Sequence, residues 1–170
     1  MKFIQFTALC LILVVCISGI GLAQTRTIEG KGEEYHHAMY LNFKHAADQA
    51  QALFTQANLR NNLVMEIVRE HVDEILVNLE RARVQHAMIH KTYGEDETRM
   101  LMENHENLLN AHLAAMESCK LLKAEVEKKN PDRESMKRLS GMLYAQASKA
   151  AVEHMDGMKK LGLREMQIPS

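Results

Sequence analysis

The sequence predicts an all-α protein whose mature domain is an up-down-up-down antiparallel four-helix bundle following an N-terminal signal peptide. From residue 33 onward the chain has almost no strand pattern and is rich in Ala, Leu, Met, Glu, Lys and Gln, which lose little on entering a helix. Over 101–126, apolar and weakly polar residues recur at alternating steps of four and three, as on one face of an amphipathic helix. Turn signals divide the chain into four helical segments of similar length, which favours antiparallel neighbours.

Segment 1–23 has the features of a secretory signal peptide. The charge of Lys2 is followed by an apolar run over 3–22 and a small-x-small ending at Gly21-Leu22-Ala23. The run is about as long as a membrane span, near 20 residues, so an uncleaved anchor is the alternative. We therefore expect a periplasmic or secreted protein without a membrane segment after cleavage.

The mature chain offers few covalent or electrostatic clues. Cleavage leaves Cys119 as the last cysteine, so no internal disulfide forms and stability depends on a helical core. The full chain has 21 basic and 22 acidic residues, and no basic patch indicates nucleic-acid binding. Segment 24–32 is predicted to be a flexible lead, 33–163 the bundle domain, and 164–170 a C-terminal tail.

The first two helices are predicted over 33–57 and 61–93. The first places Tyr40 and Phe54 on its apolar stripe, and the second ends at Gly94, a common C-terminal stop. The joint 58–62 holds neither glycine nor proline, so one long helix is the alternative. Its asparagine-rich composition favours a turn.

The third and fourth helices are predicted over 97–129 and 130–162. Acidic residues lead the third helix, where they interact favourably with its positive end. The fourth opens at Asn130-Pro131, read as an N-cap followed by a proline at the first helical position, and closes at Gly162.

Each predicted helix carries a histidine in its inward stripe. Residues equally distant from a turn sit side by side in an antiparallel hairpin, and the four histidines then fall within about 6 Å along the bundle axis at 1.5 Å per residue. Neutral imidazole is a common ligand for metals and haem, and facing helices of a bundle supply such ligands from rigid elements. The primary candidate metal ligands are His36, His86, His105 and His154.

Further candidates surround this layer. Thioether with imidazole suits copper, whereas carboxylate with imidazole suits zinc, nickel or iron, so copper is favoured and zinc or another transition metal stays open. His86-Ala-Met-Ile-His90 places two imidazoles one helical turn apart, a geometry that chelates metals. The alternative is structural, since buried histidines are often hydrogen-bonded core residues and methionines fill cores. The additional candidates are His37, His90, His112, Met39, Met102 and Met158.

Cys119 also has two interpretations. It falls beside His71 across the second turn, which makes a second, weaker metal site from His71 and Cys119 conceivable. The simpler interpretation is a buried, inert thiol. The chain has no Cys-x-x-Cys-His, so covalent haem is not indicated. The pair His86 and His90 lacks the intervening glutamate of zinc proteases, so hydrolysis is not indicated. We expect a binding protein rather than an enzyme, with no catalytic residue.

Candidate ligands on the first and last helices, His36 or Met39 and His154, give an exported bundle that resembles the layout of cytochrome b562. The resemblance covers layout across most of the domain and no extended residue motif. It implies noncovalent haem b as the alternative cofactor and electron transfer as the alternative function.

The favoured function is storage, buffering or sensing of a transition metal. A homodimer that shares the metal between two copies of the chain is an open alternative. The third hypothesis is a metal-free envelope interaction or stress protein.

Overall fold

The computed structural model describes residues 32–59, 63–92 and 102–163. The predicted signal peptide, the flexible lead through residue 31 and the C-terminal tail lie outside these residues. Within them the chain contains four helices and no strand, and the helices form the predicted antiparallel bundle. The helices are α1 (Glu33–Asn58), α2 (Met65–Thr92), α3 (Met102–Val126) and α4 (Arg133–Lys160).

The alternative of one long helix over 33–93 is wrong. α1 ends at Asn58, Leu59 takes an extended conformation, and α2 begins at Met65. α1 packs against α2 and α4, and α3 packs against the same two helices, which closes a ring of four interfaces. The α2–α3 interface is the smallest of the four.

The core runs along the bundle axis and draws on all four helices. Helical side chains of every described helix meet there, and the burial of this apolar surface is the main favourable term for folding. None of the helices in the described residues combines the length and apolarity needed to span a lipid bilayer. The fully buried large side chains include Phe43, Ile75, Leu79, Leu122 and Leu143.

Helix α4 begins two residues later than predicted from a cap at Asn130. Asp132 is the N-cap, and its carboxylate accepts a hydrogen bond from the Ser135 backbone N–H at 3.0 Å. The preceding loop is held by the buried Glu125 carboxylate, which accepts from the Asp132 backbone N–H at 2.8 Å. Helix α3 ends before this loop at Val126, whereas the sequence predicted its end at residue 129.

The predicted stop of α4 at Gly162 is confirmed. Gly162 has a positive φ of 73°, a conformation that glycine adopts without a steric cost. The Leu163 N–H donates to the Met158 carbonyl at 3.0 Å and the Gly162 N–H donates to the Lys159 carbonyl at 3.0 Å. These bonds satisfy carbonyls that the helix end would otherwise leave unpaired.

Candidate metal centre

Two histidines of the candidate site lie one turn apart on α2. The helix runs through Met65–Thr92 without glycine or proline, so its backbone holds residues separated by four positions on one face. His86 and His90 therefore project toward the same side. The third histidine, His105, comes from the facing part of α3, and the three form a cluster whose ligand atoms all lie within 4.8 Å of one another.

The three Nε2 atoms of this cluster converge. His86 Nε2 lies 2.7 Å from His105 Nε2 and 3.3 Å from His90 Nε2, and the remaining side, between His90 and His105, is 2.9 Å. The His86 and His105 rings stack at an interplanar angle of 12°, whereas the His90 ring meets both nearly edge-on, at 80° and 82°. One nitrogen atom from each ring thus lies close to a common point between the three rings.

This triangle suits a metal ion better than it suits hydrogen bonding among the rings. A neutral imidazole carries a single N–H, so one Nε2 can donate a hydrogen bond to a second Nε2. The lone pair of the third Nε2 then faces the other two nitrogens without a donor of its own. A cation accepts all three lone pairs at once. Metal–nitrogen bonds of about 2.0–2.1 Å in a tetrahedral site separate the nitrogens by about 3.3 Å, so only small ring movements are needed.

The local environment keeps the His86 and His105 imidazoles in the metal-binding form. Burial lowers the pKa of His86 from 6.5 to about 4, with further lowering by the neighbouring His90 and His105. Burial, followed by the effect of His90, also lowers the pKa of His105. His86 and His105 are half-buried and His90 is exposed, so the site opens to solvent at one side. At neutral pH both half-buried rings are uncharged and offer a lone pair.

His36 and His154, the other two primary candidates, form a separate contact. Their rings stack with centroids 5.1 Å apart and an interplanar angle of 17°, and His154 Nε2 donates to the His36 carbonyl oxygen at 2.9 Å. Both side chains are buried, and burial is the main cause that lowers the pKa of His36 to about 3 and that of His154 to about 4. Among the described residues, the candidate metal-ligand cluster contains neither of them.

The His36–His154 contact differs from haem ligation. Two axial ligands point their donor atoms at one iron from opposite faces of the porphyrin. Here the two rings lie face to face, and the Nε2 atom of His154 is engaged by a backbone carbonyl. The geometry therefore gives no support to haem ligation by this pair.

Apart from His90, the secondary candidates comprise three buried residues, the half-buried His37 and the exposed Met102. His112 is a hydrogen-bonded core histidine: its Nε2 donates to the Leu79 carbonyl at 3.0 Å and its ring meets Phe43 edge-on. Met39 and Met158 are buried. His37 lies 3.9 Å from the Glu33 carboxylate on the first turn of α1. Met102 is 63% exposed at the start of α3, three residues before His105.

Cys119 lies in an environment that suppresses its reactivity. Its thiol is fully buried, Sγ lies 3.8 Å from the Val72 carbonyl oxygen, and burial raises the thiol pKa to about 12. His71 is half-buried on α2. No cluster of three ligand-bearing side chains in the described part of the chain includes Cys119 or His71. The surroundings of Cys119 agree with the inert-thiol interpretation.

The structure thus combines two primary candidates, His86 and His105, with one secondary candidate, His90. The signal that pointed to His90 was the four-residue spacing from His86. Comparison of the chain with protein-family models, with curated protein sequences and with solved structures finds no match. The chemistry of the site is therefore inferred from its geometry alone.

Proposed function

We propose that the protein binds a divalent transition-metal ion through His86, His90 and His105. The observation that carries this proposal is the convergence of three imidazole Nε2 atoms at separations of 2.7, 2.9 and 3.3 Å. Imidazole suits zinc, copper, nickel and iron, whereas calcium and magnesium prefer oxygen ligands. The neutral state of the half-buried rings favours binding at neutral pH.

Copper is the proposed preferred ion, with zinc second. For a given set of nitrogen ligands, the affinity for divalent first-row metals increases along the series from manganese to copper and is lower again for zinc. The ligand set of the described cluster contains imidazoles alone, so this ordering applies without a competing preference for thiolate or carboxylate. Availability of each metal in the compartment decides which ion the protein carries there.

The proposed role is storage, buffering or sensing of the ion rather than catalysis. The exposed His90 places the ion where it exchanges with solvent. Two ligands from α2 and one from α3 join two helices, so occupancy is coupled to the packing between them. These features suit reversible binding.

The proposed site of action is the periplasm or the exterior of the cell. The support is the apolar run over 3–22 and the small residues that end it, which are typical of a secretory signal. Cleavage after residue 23 would leave a mature chain beginning at Gln24. The intact mass of the exported protein tests this directly.

Metal affinity measured in competition with a chromophoric chelator tests the proposed ligands. Each of His86→Ala, His90→Ala and His105→Ala removes one of three bonds to the ion, and we expect copper and zinc affinities to fall by about 100-fold or more, equivalent to about 2.7 kcal/mol. His45→Ala is the matched control, because His45 is exposed on α1. Helical content measured by circular dichroism confirms that each variant is folded. Equal affinities in the wild type and the three variants would refute the proposal.

A further inference from the structure

The cluster supplies three ligands and no more from the described residues. All three are imidazoles, and no described carboxylate or thiolate shares their position. Divalent zinc and copper ions take four or more donors, and catalytic zinc sites with three protein ligands complete the set with water or substrate. The composition of the cluster therefore leaves one position to be filled from outside it.

Asn104, which directly precedes His105 in the chain, is engaged elsewhere. Asn104 uses both ends of its amide: Nδ2 donates to the Glu153 carboxylate at 3.2 Å, and Oδ1 accepts a hydrogen bond from the Lys160 ammonium. Both partners lie on α4. The same contact occupies Glu153, so neither the amide nor this carboxylate is poised to complete the ligand set.

The charge of the site favours an anion at the remaining position. Three neutral imidazoles leave the double positive charge of the ion uncompensated, since none of them carries a negative charge. The exposed His90 marks the side on which solvent reaches the cluster. The cluster joins α2 and α3, whose interface is the smallest in the bundle.

We infer that a metal ion held by His86, His90 and His105 keeps one coordination position open to solvent and binds small monodentate anions there. This inference rests on the proposed metal-binding function. Water fills the position when no anion is present, and an anion replaces it without displacing a histidine. The competing occupant is the thioether of Met102, which is exposed one turn before His105.

Cobalt(II) is the probe that separates these possibilities, because its visible absorption depends on the number and type of its ligands. The protein is loaded with cobalt, binding is measured first, and sodium azide is then titrated into the complex. We expect a saturable change in the cobalt spectrum with no loss of bound metal. The azide affinity should change by less than about twofold in Met102→Leu and in the control Met142→Leu, whose side chain is exposed on α4.

Three results would overturn the inference. Cobalt that binds but does not respond to azide shows that the coordination set is closed. An azide affinity that rises about tenfold or more in Met102→Leu alone shows that Met102 occupies the position in the wild type. Absence of cobalt binding refutes the proposed function itself and the inference with it, and the separate binding measurement distinguishes this result from the first.

Discussion

At the residue scale, burial governs the protonation of His154. Its ring stacks on His36 and donates to a backbone carbonyl, while burial holds its pKa at about 4 against 6.5 for an exposed histidine. Below pH 6.5 the unfolded chain takes up a proton that the folded ring does not. The free energy of unfolding therefore falls as the pH decreases from 6.5 through the folded pKa, by about 3 kcal/mol for this residue.

His154→Gln tests this dependence, because glutamine retains a donor for the His36 carbonyl and does not titrate. Urea unfolding of the metal-free protein between pH 7 and pH 4 should show a shallower loss of stability in the variant than in the wild type. His45→Gln, an exposed change on α1, should leave the wild-type slope intact. A slope unchanged by His154→Gln would contradict the assignment.

The sequence limits how well such contacts can be predicted. Helical spacing indicates that His86 and His105 face inward, but each residue turns the helix by about 100°, so the stripe does not fix which rings meet across the bundle. Counting residues from the turns gives the position of each histidine along the bundle axis, but it does not give the direction in which the ring points across the bundle. Chain spacing alone does determine the pair His86 and His90, which is why this part of the cluster was visible as a chelating motif.

At the element scale, Arg133 at the start of α4 forms hydrogen bonds with carbonyl groups at the C-terminal end of α1. Its Nε donates to the Ala57 carbonyl at 2.9 Å and its Nη2 donates to the Gln56 carbonyl at 3.3 Å. These carbonyls belong to the last turn of α1, where intrahelical partners run out and a cation interacts favourably with the helix dipole.

Arg133→Gln should lower the free energy of unfolding by about 1–2 kcal/mol, because it removes charged donors from carbonyls that are partly buried. Urea unfolding at neutral pH measures the change. Arg138→Gln is the matched control, since Arg138 lies on α4 with its side chain exposed. Equal stabilities of the two variants would show that the contact with α1 contributes nothing.

The helix faces show why a single apolar stripe was an incomplete guide. The predicted stripe of α1 included Tyr40 and Phe54, which are half-buried, whereas Met39 and Leu53 are buried more deeply. α1 packs against both α2 and α4, so its buried face is wider than one seam. The start of α4 shows a similar limit: Asn130 and Asp132 are both suitable caps, and tertiary contacts of the loop decide between them.

At the scale of the whole molecule, helix number and topology were predictable because composition, periodicity and turn residues all indicate the same bundle. The relative sizes of the interfaces were not predictable, because they depend on how side chains interlock. The α2–α3 interface is the smallest, and it is the one that the histidine cluster spans. A bound ion would therefore add a link between the two helices that share the least packing.

This link predicts that metal binding stabilises the bundle through its affinity for the folded state. At a free metal concentration of 100 times Kd, the free energy of unfolding should rise by about 2.7 kcal/mol, because the three histidines meet only when α2 and α3 are packed. Thermal unfolding at neutral pH, with and without zinc, measures the gain. Zinc avoids the oxidation chemistry of copper during heating.

His105→Ala should abolish most of this gain, since it removes the α3 ligand and leaves His86 and His90 together on α2. His45→Ala should retain it. A zinc-induced rise of the same size in both variants would place the stabilising ion elsewhere. A fall in the unfolding temperature of the wild type would mean that zinc prefers ligands exposed in the unfolded chain, where the histidines and Cys119 are all accessible. A gain that depends on His105 would make the ion a cross-link between two helices, in addition to being the cargo of the site.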